Sequence, residues 1–253
     1  MRHFLEAVTV CVDYADFLAE SIPVNRPHLD RWIIVTSPDD RETLDLCHRH
    51  NLEVVSTRDF YREGDVFNKG RAIERGLGML SHQGWLLHLD ADVALPGDFR
   101  DSLDDADLDP ACIHGADRLI VRGYAAWQEL RKRARLSRSW HCMVNHRGFE
   151  VGDRWADVRY GYIPIGYFQL WHQSADHRHG IRLRRYPDNH QNGARADVKF
   201  ALQWDRRNRV LIPELLVAHL ESGSAPTGAN WNGRRTARFG PDRPTTQVSR
   251  FPS

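Results

Sequence analysis

Trp85-Leu86-Leu87-His88-Leu89-Asp90-Ala91-Asp92 is the stretch on which the reading of this chain turns. Its first five residues form a compact, mostly apolar run that reads as a buried β-strand, and two carboxylates one residue apart follow at once. In an open α/β sheet, ligands bind just beyond the carboxyl ends of the strands. Asp90 and Asp92 therefore stand where a ligand is expected. Oxygen ligands of this kind suit Mn²⁺ or Mg²⁺, which neutralise the adjacent charges of a nucleotide diphosphate. An Asp-x-Asp triplet alone says little, because surface turns produce it often, so its force comes from the strand before it.

On the N-terminal side, residues 7–12 and 32–36 are short β-branched apolar runs that read as strands, with a helix expected over 15–21 between them. Residues 40–50 carry Leu44 and Cys47 at helical spacing after a Pro-Asp-Asp start, and 52–56 return to strand character. Residues 68–80 place Ala72, Ile73, Leu77 and Leu80 on one helical stripe. Alternation of strand and helix predicts an α/β fold with a mainly parallel sheet covered by helices on both faces.

On the C-terminal side, residues 98–109 read as an acidic loop or poorly ordered helix, and 124–138 as a helix with a strongly basic polar face. Residues 160–171 are rich in glycine and aromatics, 196–204 fit a short helix, and 210–220 fit a strand. Residues 222–253 show no period and are expected to form a loop-rich tail. The expected organisation is one domain over 1–221, with a nucleotide-binding half at 1–95 and an acceptor and catalytic half at 96–221.

The chain has 253 residues, 41% of them hydrophobic and 27% charged, which fits a globular domain. A net charge of +1 does not advertise nucleic-acid or membrane binding, so local patches matter more than the total. Cys11, Cys47, Cys112 and Cys142 show neither a CxxC pair nor zinc-ligand spacing and are expected to be reduced thiols. No segment approaches a membrane span or a signal peptide, so the expectation is a soluble, cytoplasmic protein.

Taken together, the opening strand with Tyr14 beyond it, Ile34-Val35-Thr36-Ser37 with Asp39-Asp40 after it, Phe67-Asn68-Lys69-Gly70 and the Asp-x-Asp segment resemble the GT-A glycosyltransferases, and family 2 among them. The likeness extends over most of the chain. It implies the GT-A fold, a nucleotide-diphosphate sugar as donor, with a UDP-sugar favoured, and a hydroxyl-bearing acceptor. It also implies Val12, Tyr14, Thr36 and Asp39 as contacts to base and ribose, and Lys69 as a contact to base or phosphates. Asp92 is the candidate for direct metal contact. Asp90 is expected to bind the metal through water or to hold the ribose, beside Ala91.

Leu215-Leu216-Val217-Ala218-His219-Leu220 ends an apolar strand on a histidine, where such enzymes often supply a further metal ligand. His219 is that candidate, since imidazole nitrogen suits Mn²⁺. Ala196-Asp197-Val198-Lys199-Phe200 resembles the segment that carries the catalytic carboxylate of inverting members, which makes Asp197 the candidate base. Local chemistry alone offers Asp197 a different job, capping its helix. Gly166 opens a glycine and aromatic stretch that would let the donor sugar approach the backbone, and Tyr167, Phe168 and Trp171 are either sugar platforms or core. Arg234 or Arg235 would meet the diphosphate. His88, His172, His177 and His179 lack a ligand spacing and are candidates to line the acceptor site.

The sequence admits other readings. Basic runs over 131–138 and 178–195 would suit a phage-type enzyme that glycosylates hydroxymethylated pyrimidines in DNA. A nucleotide-binding protein without turnover would keep the pocket alone. A nucleotidyltransferase would need a glycine-rich loop near the N-terminus, which the sequence lacks.

Overall fold

The computed structural model describes residues 3–65, 67–179, 181–188, 195–222 and 238–239. Among the described residues nine strands form the main sheet: β1 (Leu5–Val10), β2 (Arg31–Thr36), β3 (Glu53–Ser56), β4 (Trp85–Leu89), β5 (Val93–Ala94), β6 (Ile113–Arg122), β7 (Phe149–Val151), β8 (Phe168–His172) and β9 (Arg209–Glu221). Their order is β3-β2-β1-β4-β8-β6-β9-β5, with β7 against β6. The pairings run β1, β2, β3, β4, β6 and β9 in one direction and β5, β7 and β8 in the other. The expected α/β architecture with a mainly parallel sheet is present.

Among the described residues the α-helices of six residues or more on this sheet are α1 (Ala15–Asn25), α2 (Arg41–Arg49), α3 (Lys69–Leu77), α4 (Phe99–Asp105), α5 (Tyr124–Ser137) and α6 (Ala196–Ala201). Alternate residues of the central strands serve opposite faces, as the two-residue strand period requires. Leu5, Ala7, Ile34, Leu87 and Leu89 join Phe17, Leu18, Leu46 and Trp127 in one core. Val8, Val10, Ile33, Val35 and Leu86 join Ala72, Ile73, Leu77 and Phe200 in another. Helix α3 sits close on its face through Gly76, where an added Cβ would come within 2.3 Å of Val8 Cγ2 and 2.7 Å of Val35 Cγ2.

Two side chains cap helices: Asp40 accepts the Thr43 N–H at the start of α2, and Asn68 accepts the Arg71 N–H at the start of α3. Strand β9 shifts register against β6 between Leu211 and Leu216, a stretch that includes Pro213, which has no N–H for the ladder. The strand order grows outward from β1 to β3 and then returns to the other side of β1 with β4. Such a reversal opens a crevice at the carboxyl ends of β1 and β4. Val12 and Asp90 lie at those two ends.

Candidate active site

Backbone pairing brings the active candidates to this edge. Beyond β4, Asp90 N–H donates to Tyr167 O at 3.3 Å and Val93 N–H donates to Asp90 O at 3.2 Å, so the chain turns sharply into β5. Leu220 N–H donates to Asp92 O at 2.7 Å, and Val93 stands opposite His219 in the β5–β9 register. Asp92 Oδ1 and His219 Nε2 consequently lie 3.6 Å apart, both residues buried. Strand β8 runs opposite to its neighbours, which puts the residues before it, Gly166 and Tyr167, at the same edge.

Asp90 is differently engaged. Lys69, the first residue of α3, places Nζ 2.5 Å from Asp90 Oδ1, and His88 Nε2 lies 3.4 Å from the same oxygen. Burial would favour the neutral forms of both partners, yet the Lys69 charge holds the Asp90 carboxyl well below its usual range. Against the same burial, Asp90, with Asp197 and Asp92, raises the Lys69 ammonium above its ordinary value. His88 is fully buried, with Nδ1 3.1 Å from Tyr186 Oη. Tyr186 donates its hydroxyl to Gln169 Oε1 at 2.5 Å, and Gln169 Nε2 donates to the carbonyls of Pro164 at 2.9 Å and Asp197 at 3.0 Å. A buried polar chain therefore joins Asp90 to the backbone of α6.

Asp197 does not cap α6. The N-cap is Arg195, in the left-handed region at φ 65°, and no side chain caps the helix. Instead, Asp197 Oδ2 accepts the N–H of Gly166 at 2.6 Å. A Cβ on Gly166 would stand 3.0 Å from that oxygen, so the glycine permits the contact.

These elements enclose a cavity of about 360 Å³. Of the expected residues, Val12, Tyr14, Lys69, Asp90, Ala91, Asp92, Gly166, Asp197 and His219 line it. Thr36 and Asp39 do not: Thr36 is buried with its hydroxyl 3.4 Å from Asp40 Oδ2, and Asp39 is exposed beside Arg58. Arg234 and Arg235 lie outside the described residues, as does most of the expected tail. Tyr167 lines the cavity, whereas Phe168 and Trp171 are core. His172 pairs with Trp85 at the other end of β4, away from the cavity, and His177 stacks near His82. Of the four additional histidines only His88 reaches the cavity wall.

Sequence reading missed Arg118, Trp155 and Tyr186. Arg118 lies on β6 with its guanidinium 5.1 Å from the centre of the Tyr167 ring, and its buried Nε has no hydrogen bond among the described residues. The signal available was a basic residue just before the apolar run Leu119-Ile120-Val121. Trp155 sits in an irregular segment, and nothing in its spacing marks it.

No group of three His, Cys, Asp or Glu side chains that could hold a metal ion occurs among the described residues. Asp92 and His219 do fit a shared cation: a carboxylate oxygen and an imidazole nitrogen 3.6 Å apart are within the separation of neighbouring ligands on one ion. Such a site needs further oxygens from a ligand. Asp90 is the poorer ligand, because the Lys69 ammonium already occupies its neighbourhood.

No protein-family model matches the sequence, and no curated protein matches it. Among solved structures it is similar to a mycobacterial protein, at 14% identity and TM-score 0.46 over 86% of this chain, and it spans 65% of that protein, just under two thirds. Glucosyl-3-phosphoglycerate synthase from Mycobacterium tuberculosis, in complex with UDP, is similar at 13% identity and TM-score 0.49, over 92% of this chain and 76% of that one. Mannosyl-3-phosphoglycerate synthase from Rubrobacter xylanophilus matches 46% of this chain and 40% of its own, at 21% identity and TM-score 0.35.

Part of each basic run is paired with carboxylates among the described residues. On α5, Arg131 meets Glu20 at 3.2 Å, Arg133 pairs with Glu129, and Arg138 meets Asp101 at 3.3 Å. Arg182 pairs with Glu74 and Asp176, and Arg185 with Glu74. No helix among the described residues is long and apolar enough to cross a membrane.

Proposed function

We propose that the chain is a metal-dependent glycosyltransferase that moves a sugar, with inversion, from a nucleotide diphosphate, a UDP-sugar foremost, to an acceptor hydroxyl. The observation that carries this reading is that Asp92 of the β4–β5 turn, His219 of β9 and Asp197 of α6 line one cavity at the switch point of the sheet. In this reading residues 1–95 form the nucleotide-binding half and 96–221 the acceptor and catalytic half, with Val12 and Tyr14 against base and ribose.

Asp92 and His219 would hold Mn²⁺ or Mg²⁺, with diphosphate oxygens as the remaining ligands. Bound there, the cation supplies Lewis-acid stabilisation to the leaving diphosphate. Lys69 brings a positive charge to the cavity wall, with Asp90 holding its ammonium in place. Gly166 and Ala91 leave room for the sugar near the backbone. Asp197, its Oδ2 fixed by the Gly166 N–H, receives the proton of the acceptor hydroxyl as the new bond forms.

A carbohydrate or other small hydroxyl compound is favoured over modified DNA as acceptor, because Arg131, Arg138 and Arg182 of the basic runs are paired with carboxylates of the fold. Calorimetry of nucleotide diphosphates with and without Mn²⁺ tests the reading, with UDP expected to bind in a metal-dependent way. Failure of every nucleotide diphosphate to do so would sink it. Steeply salt-dependent binding of duplex DNA would restore the DNA acceptor.

A further inference from the structure

Glu221, the last residue of β9, is a buried carboxylate. It is 6% exposed, and neither of its oxygens accepts a hydrogen bond among the described residues. The nearest cation is Arg122, whose Nε stands 3.6 Å away while its Nη1 meets Glu150 at 2.7 Å. Burying a carboxylate without hydrogen bonds is costly, so such a group calls for a reason.

His219 supplies it. Residues two apart on a strand leave the same face, so His219 and Glu221 of β9 stand side by side. His219 Nδ1 lies 3.6 Å from Glu221 Oε1, and Nε2 lies 3.6 Å from Asp92 Oδ1. Each ring nitrogen thus faces a carboxylate. A neutral imidazole has one N–H and one lone pair, and an ionised carboxylate only accepts. With the ring neutral, the N–H can face only one of the two carboxylates, and on the other side two lone pairs face each other unless a proton or a metal cation lies between them.

We propose that Glu221 is the positioning residue of the metal site: its carboxylate, 3.6 Å from Nδ1, favours a proton on that nitrogen of His219, selecting the tautomer whose Nε2 lone pair is turned toward the gap shared with Asp92. This rests on the metal-dependent reading above. A carboxylate behind a ligating histidine orients the ring and increases its basicity, and removal of such a partner weakens metal binding by about 10- to 100-fold. Glutamine at this position keeps an accepting oxygen, whereas alanine keeps none.

The test is Mn²⁺ titration by calorimetry in the presence of UDP, with ¹⁵N NMR of the histidine ring in metal-free protein, the His219 signal being assigned by its loss in His219→Gln. Glu221→Ala is expected to weaken Mn²⁺ about 10- to 100-fold, Glu221→Gln to restore most of that loss, and both to leave metal-free UDP affinity unchanged. The wild-type ring is expected to carry its proton on Nδ1. Mn²⁺ affinity that Glu221→Ala leaves intact, or a wild-type ring protonated on Nε2, overturns the proposal while the metal site stands. Absence of Mn²⁺ binding in the wild type removes the metal site and this role together.

Discussion

Asp197 Oδ2 accepts the amide N–H of Gly166 at 2.6 Å, tying the first turn of α6 to the loop that enters β8. The contact decides what a substitution at either end would do. Asparagine at position 197 can still accept that N–H through its amide oxygen, so the loop geometry should survive, but it cannot take a proton. Asp197→Asn is expected to reduce turnover by about 100-fold or more while UDP affinity holds, as general-base catalysis contributes that much. Retained turnover, measured by product formation against UDP binding, would move the base elsewhere.

Gly166→Ala tests the same contact from the other side. Its Cβ would fall 3.0 Å from Asp197 Oδ2 and 3.1 Å from Asp197 Cβ, so the carboxylate must shift by a few tenths of an ångström. Turnover is expected to fall by about 10-fold, because small misplacements of a reacting group are costly. Thermal stability should change little beside it. Equal activity in the alanine variant would show that the base does not depend on this position.

The Lys69–Asp90 pair makes a pH-dependent contribution whose sign follows from the two shifts. Asp90 is held below its ordinary 3.8, so its contribution is present above that value and is lost as pH falls through the lower folded value. Lys69 is raised above 10.5, so its contribution is present below that value and is lost as pH climbs through the folded one. Lys69→Met leaves the carboxylate with His88 alone. It should cost about 2 kcal/mol at pH 7, less than a fully buried pair because about a fifth of each side chain meets solvent. In urea titrations the difference from wild type should shrink below pH 4 as Asp90 protonates in the variant. A difference constant down to pH 3 would contradict this electrostatic account.

What could be read in the sequence follows from how each element buries its residues. Strand β4 is apolar except for His88 and needed no tertiary information, and the stripe of α3 announced its buried face. Strand β6 was not legible, because His114, Gly115, Asp117 and Arg118 interrupt its apolar run, and Arg118 went unnoticed with it. Strand β8 gave no alternation, since a central strand is covered on both faces and reads as one apolar stretch. The separate roles of the two aspartates were also hidden: Lys69 lies 21 residues from Asp90, and only packing of α3 against the sheet makes them partners. The job of Asp40 was hidden too: it is buried, caps α2 and accepts the Asp13 N–H at 2.7 Å, contacts that the Pro-Asp-Asp run does not announce.

Thiol reactivity reports the fold without any ligand. Cys11, Cys47 and Cys112 are buried and Cys142 is exposed. Burial pushes the Cys11 thiol well up, Cys47 up to about 11, and Cys112 up to about 11 with help from Asp109. Since the thiolate is the reactive form, one thiol should react quickly with a disulfide reagent at pH 8 in native protein and four in denaturant. Cys142→Ser should remove the fast phase. A second fast thiol would mean that one of the buried sites opens readily.

Tyr186 offers the sharpest test of the buried polar chain. Its ring stacks on Phe200 with centroids 4.0 Å apart, and phenylalanine would keep that packing. The hydroxyl is what Tyr186→Phe removes, and with it the donor to Gln169 Oε1 and the contact to His88 Nδ1. Gln169 is fully buried, so its oxygen would be left with His88 Nδ1 at 3.4 Å as its remaining neighbour among the described residues. Losing the shorter of this buried acceptor's two contacts should cost about 1 kcal/mol, which urea unfolding should register. Gln169 also holds the carbonyl of Asp197, so the variant should lose turnover while UDP affinity changes little. Unchanged stability and turnover together would mean that the chain from His88 to Asp197 does not position the base.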